Sequence, residues 1–112
     1  MNAGEHAEKI AAGYLKKKGL ALIEANYRCR WGEIDLVLRD RGTIVFAEVR
    51  LRRSQSFGGA AYSVDRRKQA RIIAAARHYL AGAREAPCRF DVVLLGSLQP
   101  PRIEWIRDAF ST

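Results

Sequence analysis

The chain has 112 residues, 48% of them apolar, and a formal charge of +8 with a pI near 10.1; this bounds it to about one domain with one modest core and leaves no room for a second catalytic domain. No run approaches the roughly 18 apolar residues of a membrane span. Residues 1–18 lack the apolar centre and cleavage site of a signal peptide, so a cytosolic protein is expected.

Residues 2–18 set Ala3, Ala7, Ile10, Ala11, Tyr14 and Leu15 at helical spacing, and Lys16, Lys17, Lys18 and Gly19 read as a basic last turn with a glycine stop. Residues 20–26 alternate loosely and predict a short first strand. Residues 33–40 and 43–51 are rich in apolar and β-branched side chains and predict a hairpin turning at Arg41 and Gly42. Residues 52–62, with Gly58 and Gly59, have no period and predict a mobile loop. Ser63 is expected to cap a helix over 64–81 with Gln69, Ile72, Ile73, Ala76 and Leu80 inward and Arg66, Arg67, Lys68, Arg71 and Arg77 outward. Residues 88–95 form a near-continuous apolar run typical of a buried strand, and 102–106 predict an edge strand after Pro100 and Pro101. The order αβββαβ(β), without repeats or linkers, predicts one α/β domain.

Charge placement says more than the total. Residues 39–77 hold ten Lys or Arg against three acids, which puts +7 of the net +8 in that stretch. Fifteen of the 20 basic residues are arginine, whose planar fork suits phosphate better than an ammonium does. Such a stripe is the footprint of a protein that displaces counterions from nucleic acid; acidic lipid headgroups or an acidic protein are the other partners it would suit. Cys29 and Cys88 stand far apart and predict reduced structural thiols rather than a zinc knuckle or a disulfide.

Strand alternation puts Ile34, Leu36 and Leu38 on one face and Glu33, Asp35 and Val37 on the other; on the next strand Val45, Ala47, Val49 and Leu51 oppose Phe46, Glu48 and Arg50. A two-residue turn at Arg41 and Gly42 makes every facing pair sum to 83, so Asp35 faces Glu48 and Glu33 faces Arg50. Opposed like charges cost a hairpin roughly 0.2–1 kcal/mol. A divalent cation held by the two carboxylates, the Val49 carbonyl and water would explain the choice. A wet polar face with Glu33 and Arg50 as an ion pair is the plainer explanation.

The string from Gly32 through Glu33, Ile34, Asp35 and Leu36 to Val37, the run from Val45 through Glu48 and Arg50 to Arg53, then Gly58, Gly59, Lys68, the run from Arg89 to Val93 and the ending from Glu104 to Phe110 resemble the YraN family. The resemblance extends back to Gly4 and Glu8. It implies a restriction-endonuclease-like αβββαβ core, a mixed central sheet flanked by helices, over residues 1–112 as a single endonuclease-like domain. It also implies that the acid-then-GluXaaLys pattern of nucleases falls on Asp35, Glu48 and Arg50, that Glu8 is the helix-one acid, and that Lys68 contacts phosphate. Glu8 precedes Ala11, Ala12 and Leu15 at helical spacing and so borders the inward face; Glu5 is the weaker choice, and a first-turn acid favoured by the helix dipole is the blander role. Arg50 stands where nucleases of this fold usually carry lysine. It cannot act as a general base, though it can stabilise charge developing on phosphorus.

The expectation is therefore a metal-dependent phosphodiesterase on DNA, branched or single-stranded forms included. Glu8, Asp35, Glu48 and Arg50 are the catalytic candidates, and Glu8, Asp35 and Glu48 the ligands for Mg²⁺, or Mn²⁺ in its place. Arg52, Arg53, Arg66, Arg67, Lys68 and Arg71 are the nucleic-acid contacts. The rival is a non-catalytic DNA-binding module of the same fold; a third class is an adaptor for an acidic protein or membrane surface. Nucleases of this fold often dimerise, but no self-complementary patch is legible. Phe57 and Tyr62 are read as loop anchors rather than base-stacking groups, Trp31 and Trp105 as packing, and Asp91 as a hydrogen-bonding partner of Arg89 at the sheet edge, outside the site. His6 and His78 lack a second metal ligand at a useful spacing.

Overall fold

The computed structural model describes residues 2–51, 64–81, 86–98 and 100–112. The first helix, α1, spans Ala3–Lys17. Its N-cap Asn2 accepts the Glu5 N–H through its side chain at 2.8 Å, Lys16 and Lys17 sit at its negative end, and Gly19 leaves it at a φ of +100° that only glycine adopts freely. Three strands follow, β1 (Ala21–Cys29), β2 (Gly32–Asp40) and β3 (Thr43–Leu51), then α2 (Arg66–Leu80), β4 (Cys88–Leu98) and β5 (Pro101–Phe110).

The five strands form one mixed sheet in sequence order, β1-β2-β3-β4-β5. All pairs are antiparallel except β3 with β4, which run parallel and so need the α2 crossover between them. The helices cover opposite faces. Ala7, Ala11, Ala12 and Leu15 of α1 pack with Leu36, Leu38, Val45, Ala47, Val93 and Leu95. Ile72, Ala75 and Ala76 of α2 pack with Ile34, Val37, Phe46, Phe90, Val92 and Leu94. Strand β4 is thus buried on both sides, which explains its unbroken apolar run.

Several boundaries differ from expectation. The α2 N-cap is Asp65, which accepts the Lys68 N–H at 2.8 Å. Ser63 lies outside the described residues, and Val64 is a buried core residue ahead of the helix. Asp65 adds a negative charge to the capping geometry, which the positive helix end favours. Strand β1 runs on to Cys29 because β2 gives it a partner as far as Gly32, and β5 spans ten residues rather than five. Asp91 lies on the interior strand β4, not at an edge. Its carboxylate, with none of the residue exposed, accepts from Arg89, from the Trp105 indole and from the Asp108 N–H. Trp31, expected to pack, stands 52% exposed with the Arg30 guanidinium over its ring. Cys29 and Cys88 are free, as expected, though Cys88 is exposed rather than buried.

Candidate functional site: a carboxyl pair where the sheet splits

The hairpin turns at Arg41 and Gly42 as expected, with Asp40 opposite Thr43 and pairs summing to 83 up to Leu36 with Ala47. There the ladder stops. The expected pairs Asp35 with Glu48 and Glu33 with Arg50 are not among the paired residues. Instead, Oδ2 of Asp35 accepts the Val49 N–H at 2.8 Å, so a side chain of β2 occupies the gap that the backbone has left.

The neighbouring strand β1 has an unusual backbone at the same level. Asn26 stands between Ala25 and Tyr27, which pair with Leu36 and Ile34, and so lies across from Asp35. Its φ is 56°, a left-handed conformation that asparagine tolerates better than most residues. The β2 face order changes at the same place. Leu36 joins the α1-side core while Ile34, two residues away, joins the α2-side core, against the simple alternation that would have put them together. Glu33 is carried away from β3 and pairs with Arg28 at 3.5 Å.

Glu48 follows the expected alternation of β3 and shares the α2 side with Phe46. It is only 4% exposed and lies within electrostatic reach of Asp35. Two cations approach it, Arg50 at 3.6 Å and Lys68 at 3.7 Å. Lys68 therefore turns from the solvent-facing row, where helical spacing had put it, to the sheet. Burial above all, and then the Asp35 charge, push the Glu48 carboxyl up to about 8. The two cations pull the other way and lose, because distances beyond 3.5 Å are too long for the charge-assisted hydrogen bonds that would hold the anion. Burial thus favours the protonated form of the Glu48 carboxyl.

Glu8 reaches the same region from α1. Partial burial and the Asp35 charge raise its pKa, while a hydrogen bond from Asn26 works against them. Asn26 is the residue that sequence reasoning missed: it takes a left-handed backbone across from Asp35 and acts on the Glu8 carboxyl. Its only signal was an asparagine inside a strand-forming run. Among the described residues, no three carboxylate, imidazole or thiol groups are placed to hold a metal ion. Asp35 and Glu48 offer a set of two hard oxygen donors, chemically suited to Mg²⁺ completed by water, with Glu8 within electrostatic reach.

Arg66, Arg67 and Arg71 are exposed on α2. They stand on the helix that delivers Lys68, and the backbone of Arg71 closes on Gly32, where a Cβ would meet its carbonyl oxygen at 2.7 Å. The start of β2 is thereby fixed against the basic helix. Arg52, Arg53, Phe57 and Tyr62 lie outside the described residues. No described helix is long and apolar enough to cross a membrane.

The profile of the Uncharacterised protein family UPF0102 matches residues 7–95, a span that holds Glu8, Asp35, Glu48 and Lys68. A UPF0102 protein of Nitrosomonas europaea is 54% identical over 97% of this chain and 93% of its own length. Relatives from Methylobacillus flagellatus and Nitrosococcus oceani are 52% and 53% identical, each over 96% of this chain and over 96% and 90% of their own lengths.

Proposed function

The chain belongs to the Uncharacterised protein family UPF0102, and from that premise we propose that it is a metal-dependent DNA phosphodiesterase, a single endonuclease-like domain over residues 1–112 working in the cytosol. The observation that carries this reading is the buried Glu48, beside the charge of Asp35 and flanked by Arg50 and Lys68. A protein selected only for stability has little reason to bury one acid against a second, half-buried one. The α1, three-stranded meander and α2 crossover into parallel β4 also support a restriction-endonuclease-like reading of the fold.

Mg²⁺, or Mn²⁺ in its place, would be held by Asp35 and Glu48 with Glu8 nearby, and would supply charge neutralisation at phosphate and activation of water. The Val49 N–H fixes one oxygen of Asp35 and so orients that carboxylate before any ligand arrives. Glu48 must give up its proton to serve. Arg50 and Lys68 then stand beside the carboxylates as two cationic side chains toward the phosphoryl oxygens. Lys68, brought from α2, supplies the ammonium that the sequence position of Arg50 lacks. Arg66, Arg67 and Arg71 extend this basic surface along the DNA backbone.

A non-catalytic DNA-binding module is the second reading, favoured by Arg50 in place of lysine. Cleavage of single-stranded, duplex, flapped and four-way DNA with Mg²⁺ or Mn²⁺, run beside the Asp35→Ala protein, decides between them. Metal-dependent products absent from the variant support the enzyme. DNA binding by both proteins without cleavage supports the module.

A further inference from the structure

At the far end of the hairpin, five residues along β2 from Asp35 and so about 16 Å away, a cleft of about 630 Å³ opens between the end of α1, the β2–β3 turn and the strands β4 and β5. Lys18, Arg41, Arg89 and Arg107 line it together with Asp40 and Trp105. Four cations thus face one carboxylate, or two when the buried Asp91 behind Arg89 is counted.

Part of this charge holds the fold together. Arg89 bridges Asp91 and Asp40 at 3.0 Å each, and Arg107 meets Asp40 at 3.1 Å while lying over the Trp105 ring. The rest is less committed, since among the described residues neither Arg41 nor Lys18 makes an ion pair, although the Lys18 ammonium lies over the Tyr14 ring. Arg41 also stands against local backbone preference. Its φ is 60°, while Gly42 beside it stays out of the left-handed region. A glycine at position 41 would adopt this conformation without strain, so the turn keeps a cation there at a conformational cost. Among the cleft's other residues, Arg89 has a buried Nη2 donor with no acceptor, a deficit that native proteins rarely leave.

We propose that this cleft is a binding site for a phosphate group, separate from the carboxyl pair. Its acceptor oxygens meet Arg41, Lys18 and Arg107 at the mouth, and Asp40 and Asp91 hold the arginine forks in place. The volume exceeds that of inorganic phosphate and falls within the range of small-ligand pockets, so the group is carried either by a mononucleotide-sized molecule or by a nucleic-acid strand. The proposal does not depend on catalysis at Asp35 and Glu48.

The test uses Trp105 as the reporter, in a Trp31→Phe background that leaves it the sole indole. Inorganic phosphate, a nucleoside monophosphate and a short single-stranded oligonucleotide are titrated separately. Arg41→Gly removes the cation and the strain together, so it is expected to fold at least as well as the parent while losing about tenfold or more in affinity. Saturation by phosphate or the monophosphate, lost in Arg41→Gly, supports a free phosphate ligand; saturation by the oligonucleotide alone, lost in the same variant, supports strand phosphate. Absence of saturation by all three probes, or equal affinity in Arg41→Gly, overturns the proposal. An Asp35→Asn protein that still binds phosphate keeps this result distinct from the fate of the catalytic reading.

Discussion

Oδ2 of Asp35 accepts the backbone N–H of Val49 at 2.8 Å, and this bond joins β2 to β3 where their ladder has ended. The carboxylate is therefore part of the sheet as well as the centre of a charged site, and the two roles separate under mutation.

Asp35→Ala leaves the Val49 N–H without its acceptor and is expected to cost about 1–2 kcal/mol. Asp35→Asn keeps an oxygen in place and also relieves the charge facing Glu48, so it should come close to wild-type stability in chelator. Urea denaturation of the three proteins at one pH checks this. Equal losses in both variants would mean that the bond contributes nothing.

Glu48 gives the protein a pH dependence of defined sign. Its carboxyl titrates near 8 in the folded chain against an ordinary value of 4.5, so its contribution to stability is complete below about 4.5 and is lost as pH rises through 8. Glu48→Gln stays neutral and should become the more stable protein in the upper part of that window. Denaturation midpoints from pH 4.5 to 9 read the difference. Parallel curves for the two proteins would show that Glu48 ionises normally.

Metal and proton compete for the same pair if the proposed function holds. Mg²⁺ should raise the melting temperature by mass action, and more at pH 8 than at pH 5.5, because at the lower pH the cation must first displace the Glu48 proton. Asp35→Asn and Glu48→Gln should lose the effect. An identical response in all three proteins would remove the carboxyl pair as a metal site.

The exposed face of α2 predicts the salt dependence of DNA binding. Changing Arg66, Arg67 and Arg71 together to Glu should leave the fold intact, since none of the three is buried. It should also flatten the plot of log affinity against log salt by about two to three units. Filter binding or anisotropy at several salt concentrations measures the slope, and an unchanged slope would move the contact surface elsewhere.

Strand β3, with its bounds, and the hairpin register were legible in the chain itself. Arg41 and Gly42 interrupt two β-branched runs, and turn length fixes which residues face each other. The helix of Ala7, Ala11 and Leu15 was legible for the same kind of reason, since burial on one face imposes a period that a sequence displays. The family, too, was written in ordered motifs from Glu8 to Phe110. Tertiary structure alone decided the site geometry. Strict alternation set Asp35 opposite Glu48 in a continuous ladder, whereas the β2–β3 ladder ends at Leu36 and Ala47, the Asp35 side chain takes a backbone N–H of β3, and the neighbouring strand carries a left-handed Asn26 at the same level. Helical spacing put Lys68 among solvated arginines, yet the carboxyl pair of Asp35 and Glu48 lies within reach of its long side chain, whose ammonium stands 3.7 Å from Glu48. Periodicity reports how each strand or helix meets the core. The position of Lys68, the left-handed backbone at Asn26 and the protonation of Glu48 depend on distances between elements far apart in the chain, which local pattern does not contain.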